Sequence, residues 1–179
     1  YGCSLGHVDS EMCRRDSSIG MGWVAECIAT EMEWIENGAD RVLQTLRAMT
    51  GAVEGYEPDR NDTGFFRHWI HMETGAREWN SEYSTIDSGI LTAGALFASK
   101  YFCENDSIRH YAQMLWASID WSKAIQNPET GGIYLSMEKA GEGTPNFVTL
   151  PFNEYMLVAW LAMQQDGSTP VSYTHLRTH

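Results

Sequence analysis

Basic residues are scarce in this sequence: 12 Lys and Arg face 24 Asp and Glu among 179 residues, for a formal net charge of −12. This charge argues against a nucleic-acid partner, because the phosphates would be repelled. An acidic surface more often only keeps a protein soluble, so the charge alone indicates no ligand.

Long apolar runs are also missing, and none approaches the length that crosses a membrane. The four cysteines show no paired metal-ligand spacing. Cys27 and Cys103 lie in helical patterns, and we expect both to be buried free thiols. We therefore expect no membrane partner, no metal and no other cofactor.

The chain is long enough for one hydrophobic core and one domain. It begins at Tyr1 without a methionine or a signal-like segment, so we interpret it as a fragment whose compartment the sequence leaves open. Aromatic residues make up 12% of the chain and include seven Trp. Many of them cluster in predicted loops, where an aromatic ring can stack on a ligand.

Helical periodicity predicts five helices, over residues 19–35, 39–49, 85–101, 107–125 and 152–163. The first, third and fifth carry small and apolar residues around most of their circumference, whereas the second and fourth have one polar face. Long loops precede the third and fifth helices. This alternation predicts an all-α protein of inner and outer helices, stacked as a solenoid or closed into an (α/α) toroid.

The strongest local signals lie just before the third predicted helix. Residues 65–71 are predicted to form a short strand, 73–75 a turn and 77–80 the returning strand. Ser84 occupies an N-cap position and Asp87 follows three residues later, which is similar to a capping box. A second hairpin is predicted within residues 127–150, so β-hairpin loops would lie on one face of the helices.

Three carboxylates are candidates for catalysis: Glu82, Asp87 and Glu154. Glu82 precedes the third helix and Glu154 lies in the first turn of the fifth, so both are expected at one mouth. Glu82 could equally be a solvated loop residue, and Asp87 could serve only the helix cap. For Glu154, the helix dipole would lower the pKa whereas burial would raise it, and the sequence leaves that balance open.

Several side chains near this mouth are candidates for binding a substrate. Aromatic residues there could stack on a ligand or only pack within the fold, and basic residues could bind hydroxyl groups. A metal site is the weaker idea, because His68 and His71 would face opposite sides of a strand. The candidates are Trp69, Trp79, Tyr83, Phe152, Tyr155, Arg67 and His68.

The segment WNSEYSTID at residues 79–87 resembles the glycoamylase-like family of bacterial carbohydrate-active proteins. That family includes endo-β-1,2-glucanases and a domain of cyclic β-1,2-glucan synthases. The resemblance spans residues 14–163. Its other parts are GFFRHWIHMETGAR, ILTAGALFASKYF, SSIGMGWVAECIA, GADRVLQTLRAM, IDWSKAIQNPETGG and FNEYMLVAWLA.

The resemblance implies an (α/α) toroid with a central glycan-binding cavity, of which residues 1–170 would form about half. It implies a glycoside hydrolase acting on β-glucan, monomeric in its complete form and periplasmic or extracellular. A non-catalytic helical module that binds a glycan or a protein is the alternative. Residues 171–179 resemble translated library-adaptor sequence, and we expect them not to be native.

Overall fold

The computed structural model describes residues 13–150 and 152–165, and this part of the chain contains five α-helices and seven short strands. The helices are α1 (Asp16–Glu31), α2 (Gly38–Met49), α3 (Thr85–Tyr101), α4 (Asp106–Ala117) and α5 (Met156–Gln164). The strands are β1 (Cys13–Arg15), β2 (Trp69–His71), β3 (Tyr83–Ser84), β4 (Ile125–Asn127), β5 (Gly132–Tyr134), β6 (Ser136–Met137) and β7 (Val148–Thr149). This part of the chain is therefore about half helical, with small strand pairs.

Helix α3 lies at the centre of the packing and contacts α1, α4 and α5. Helices α1 and α3 approach closely at Gly20 and Gly94, where a Cβ on either residue would overlap the backbone of the other helix. The Tyr101 hydroxyl donates a hydrogen bond of 2.8 Å to Glu31 and joins the C-terminal ends of the two helices. Helices α1 and α3 therefore run parallel, as expected for two inner helices separated by an outer one.

The small strands connect loops that lie far apart in sequence. Strand β1 pairs antiparallel with β2, and β3 pairs antiparallel with β6. Strands β4, β5 and β7 form an antiparallel three-stranded sheet. Both predicted hairpin regions contain turns with short strands. In the first region the predicted returning strand over 77–80 is wrong: only Arg77 bridges to Ile70, and β2 pairs with β1. Strand β3, which follows this region, pairs with β6 in the second.

Four predicted helix boundaries, in three helices, are wrong. Helix α1 begins and ends earlier than residues 19–35. Helix α4 ends at Ala117, because Asp120 caps a short 3₁₀ helix (Trp121–Ala124) through the Ser122 N–H and Ile125 then begins β4. Helix α5 begins at Met156 rather than at residue 152, since the Asn153 side chain accepts a bond from the Tyr155 N–H and holds a turn there.

The buried positions separate α3 from the other two inner helices. Helix α3 is buried on nearly all sides, as predicted. Helices α1 and α5 are less buried, because each leaves two large apolar side chains in solvent, whereas α3 leaves one, Phe97. The exposed ones are Met21 and Ile28 on α1 and Met156 and Trp160 on α5.

Cys27 and Cys103 differ in exposure. Cys27 is a buried free thiol, and burial raises its pKa to about 11. Cys103 lies in the turn after α3 and is exposed, so the prediction of a buried thiol is wrong there. Within residues 13–150 and 152–165, no helix combines the length and apolar character that a membrane span requires. Nor do the His, Cys, Asp and Glu side chains of this part group in a way that would hold a metal.

Candidate functional site

A cavity of about 790 Å³ opens at the N-terminal end of α3. One wall comes from residues 67–87, which run through β3 into the helix. The opposite wall comes from residues 135–147, and Tyr155 completes it from the segment before α5. The cavity therefore gathers the two predicted hairpin regions and the starts of two inner helices.

Ser84 fixes the point where α3 begins. Its hydroxyl accepts a hydrogen bond from the Asp87 N–H at 3.2 Å and donates one to Asp87 Oδ2 at 2.6 Å. The Ser84 N–H is bound to the Phe66 carbonyl oxygen instead of to a side chain, so this is a serine N-cap rather than a reciprocal capping box. The carboxylate of Asp87 therefore does not bind the Ser84 N–H. Its Oδ2 contacts the Ser84 hydroxyl and the ring of His68.

His68 lies between the two carboxylates of this wall. Its Nδ1 is 2.6 Å from Asp87 Oδ2 and 3.7 Å from Glu82 Oε1. An ionised carboxylate can only accept, so the short contact requires a proton on Nδ1. Asp87 is buried, whereas half of the Glu82 side chain is in solvent. The structure thus brings together one buried carboxylate and one accessible carboxylate around a single imidazole ring.

Arg67 and Tyr83 support the same wall from behind. The Arg67 guanidinium lies 3.6 Å from the centre of the Tyr83 ring and donates to Asp59 and to the Ser81 carbonyl oxygen. The Tyr83 hydroxyl donates to the other oxygen of Asp59 at 3.1 Å. Burial, followed by the charge of Asp59, raises the pKa of Tyr83. These contacts fix the loop that carries His68 and Glu82.

The opposite wall is bonded to the start of α3 and to the loop around Asn61. Thr85 Oγ1 donates to the Tyr134 carbonyl oxygen at 2.7 Å. The Asn61 side chain donates to the carbonyl oxygen of Glu138, and Lys139 Nζ donates to that of Arg60 at 2.6 Å. The wall of residues 135–147 is therefore held by the start of α3 and by the loop around Asn61, and not only by its own strands.

Burial and all three candidate carboxylates raise the pKa of Tyr155. Burial raises the pKa of its phenol to about 12, and the negative charges of Asp87, Glu154 and Glu82 contribute in that order. Glu154 itself is exposed and precedes the Tyr155 N-cap, so it lies outside the first turn where the sequence placed it.

The predicted site residues fall into two groups. Six line the cavity: Arg67, His68, Glu82, Tyr83, Asp87 and Tyr155. Four do not: Trp69, Trp79, Phe152 and Glu154. His71 also lies outside, and its Nδ1 accepts a bond from the Glu73 N–H within the hairpin turn.

Sequence reasoning missed two residues of the first wall and all the residues of 135–147 in the second. In the first wall, Arg77 and Asn80 line the cavity and are hydrogen-bonded to each other. Glu138, Lys139 and Phe147 line it from the second hairpin region. Arg77 and Asn80 lie in or next to the segments that carry the family resemblance, but residues 135–147 contain no motif that marks them as part of a site.

Solved structures share this fold. A glucoamylase-like protein from Bacteroides uniformis aligns with a TM-score of 0.73 and 21% identity, over 94% of this chain and 40% of that protein. The chain has the fold of the glucoamylase-like proteins. An endo-β-1,2-glucanase from Chitinophaga pinensis, solved with sophorotriose and glucose, aligns with a TM-score of 0.72 and 18% identity over 93% of this chain. A β-1,2-glucanase from Parabacteroides distasonis gives 0.70 and 22% over 87%.

The shared fold confirms the resemblance to glycoamylase-like proteins that the sequence predicted. The chain spans about 40% of the length of the B. uniformis and C. pinensis proteins and 23% of the P. distasonis protein. No protein-family model matches the sequence. No curated protein is significantly similar to it.

Proposed function

We propose that the chain is part of an (α/α) toroid that hydrolyses β-glucan by carboxylate catalysis. The observation that carries the proposal is the cavity at the N-terminal end of α3, where Glu82 and Asp87 meet at His68. Glycoside hydrolysis uses two carboxyl groups, one to protonate the leaving oxygen and one to activate water or attack the sugar. The fold shared with two β-1,2-glucanases supports a glycan as substrate and makes a β-1,2-glucan the first to test.

The proposed roles assign Glu154 as general acid and place Glu82, with Asp87, on the opposite side of the sugar. Tyr155 supports this arrangement, because the charges of all three carboxylates reach its hydroxyl. Glu154 is exposed and does not line the cavity. Its assignment as general acid is therefore the first one to test by substitution. Arg67 and His68 would bind hydroxyl groups or hold the carboxylates in place, and Tyr83 would pack behind them.

The test compares Glu154→Gln with Glu82→Gln in the complete natural protein that contains this sequence. Each change keeps the shape of the side chain and removes its titrating proton. Loss of general acid–base help lowers a rate by about 10²–10⁴-fold, so release of reducing ends from β-1,2-glucan should fall by that order in Glu154→Gln while binding persists. Undiminished turnover would remove Glu154 from the mechanism and leave Glu82 and Asp87 as the candidates.

A glycan-binding module without catalysis is the second candidate. It is favoured by Asp87, whose Oδ2 is engaged by both Ser84 and His68 as in a purely structural role. A complete protein that binds β-glucan oligosaccharides and never cleaves them would establish this alternative. In that case both glutamine variants would bind the oligosaccharides and differ from the native protein only in affinity.

A further inference from the structure

Trp79 is held in an unusual position for so large a side chain. Its backbone φ is +50°, in the left-handed region that bulky residues rarely adopt. The side chain is 60% exposed, so burial does not explain its conformation. Strained residues that keep an aromatic ring in solvent are found at binding sites, where the surrounding structure maintains them.

The hairpin around Trp79 supplies that surrounding structure. The carbonyl oxygen of Trp69 accepts hydrogen bonds from the Glu78 N–H at 3.1 Å and from Ser81 Oγ at 3.2 Å, on either side of Trp79. The indole rings of Trp69 and Trp79 meet edge to face, with their centres 5.1 Å apart. Trp79 is therefore fixed at the tip of an anchored turn.

An aromatic path connects this turn to the cavity. The Trp69 ring lies 5.3 Å from the ring of His68, which lines the cavity beside Asp87. Arg77 and Asn80, which flank Trp79 in sequence, also line the cavity. A ligand that leaves the cavity along this side would thus pass polar side chains and reach an exposed indole.

We propose that Trp79 forms an outer binding position for one sugar ring of a β-glucan chain whose other units occupy the cavity. The inference rests on the proposed function and deepens it, because it makes the substrate an oligosaccharide or polymer too long for the cavity alone. Sugar rings offer a face of C–H groups that packs on an aromatic face, and the flanking Arg77 and Asn80 offer bonds to hydroxyl groups.

The experiment measures how affinity depends on glycan length. The complete natural protein that contains this sequence and its Trp79→Ala variant are titrated by calorimetry with linear β-1,2-linked glucose oligomers, from the disaccharide sophorose to the hexasaccharide. Affinity for the unsubstituted protein should rise with length. In Trp79→Ala the hexasaccharide should bind about 2- to 12-fold more weakly, the range expected for one aromatic contact, while sophorose binds as before.

Two further variants control for folding and for the loss of a tryptophan. Trp79→Phe keeps an aromatic ring and should retain most of the length dependence. Trp34→Ala removes an exposed tryptophan beyond the C-terminal end of α1, at the end of the helix layer opposite to the cavity, and should change nothing. Equal weakening at every length, or none in Trp79→Ala, would overturn the outer position and leave the glycan site standing. Absence of binding by the complete unsubstituted protein at every length would overturn both.

Discussion

The N-terminal ends of α3 and α5 both border the cavity, but they are held differently. Ser84 caps α3 with its side chain, and α3 packs against three other helices. Helix α5 has no side-chain cap at Tyr155 and packs mainly on α3 and the 3₁₀ helix. The carboxylate of Asp87 is consequently buried and bonded, whereas Glu154 is exposed. A carboxylate near a helix start becomes a fixed part of a cavity only where a cap and packing fix the helix itself.

The largest effect should come from separating α3 from its neighbours, and two glycines of α3 allow a matched test. A Cβ at Gly94 would overlap the backbone of Gly20, whereas a Cβ at Gly89 would lie 3.3 Å from Val158 Cγ2 on α5. Overpacking against backbone costs about 1–3 kcal/mol, so Gly94→Ala should lower the free energy of unfolding by that amount.

Gly89→Ala is the control for this change. Replacing a helical glycine by alanine favours the helix by about 1 kcal/mol, and this gain should offset the tight contact with a movable valine methyl. Urea denaturation followed by circular dichroism measures both variants. Equal losses at the two positions would show that α5 holds α3 as firmly as α1 does.

A smaller effect is expected from removing the caps. Ser84→Ala and Asn105→Ala each remove a side chain that accepts N–H bonds at the start of α3 and α4. Each should cost about 1 kcal/mol of unfolding free energy. Only Ser84→Ala should also shift the ring resonances of His68 in NMR spectra, because Ser84 shares Asp87 Oδ2 with that ring. An unchanged His68 signal would mean that the contact between Asp87 and His68 does not depend on the Ser84 cap.

The smallest effect is a change in the titration of Tyr155. Its pKa is raised from 10 to about 12, first by burial and then by Asp87, Glu154 and Glu82 in that order. Because the neutral phenol is favoured in the folded chain, its contribution to stability is fully present below pH 10 and is lost as the pH rises toward 12.

Removing the charges of Asp87, Glu154 and Glu82 one at a time compares how strongly each helix start raises the pKa of Tyr155. Ultraviolet absorbance of the phenolate should show the pKa of Tyr155 falling most in Asp87→Asn, less in Glu154→Gln and least in Glu82→Gln. A Tyr155→Phe variant identifies which part of the titration belongs to this residue. A larger effect from Glu154 than from Asp87 would contradict this order and place the Glu154 carboxylate closer to the Tyr155 hydroxyl than the Asp87 carboxylate.

Local signals predicted the fold where several of them agreed. The bounds of α3 match residues 85–101, because a serine cap, small residues and a buried helix all favoured the same segment. Helix α5 begins later than predicted, since the bond from the Tyr155 N–H to Asn153 favours a turn over the helix that the apolar run suggested. Pro151, which comes just before the predicted start of this helix in the sequence, lies outside the described residues.

The site could be predicted only in part. Glu82 and Asp87 were identifiable from their segment, whereas the contact of Asp87 with His68 depends on how residues 59–67 fold back over α3. Lys139 and Glu138 reach the cavity through the pairing of β3 with β6, which joins residues far apart in sequence. Pairings of this kind leave no periodic signal, so a single sequence cannot reveal them.

The bonds between the cavity wall of residues 135–147 and the loop around Asn61 also bear on the order in which the chain folds. The bond from Asn61 to the Glu138 carbonyl oxygen closes a loop of 77 residues, and that from Lys139 to the Arg60 carbonyl oxygen closes one of 79. Closing long loops costs chain entropy before any contact compensates for it. Helices α3 and α4 lie within both loops, so their packing shortens the distance that remains to be closed. We therefore expect the rim of the cavity to assemble last, and a partly folded chain to have its central helices in place before it has a site.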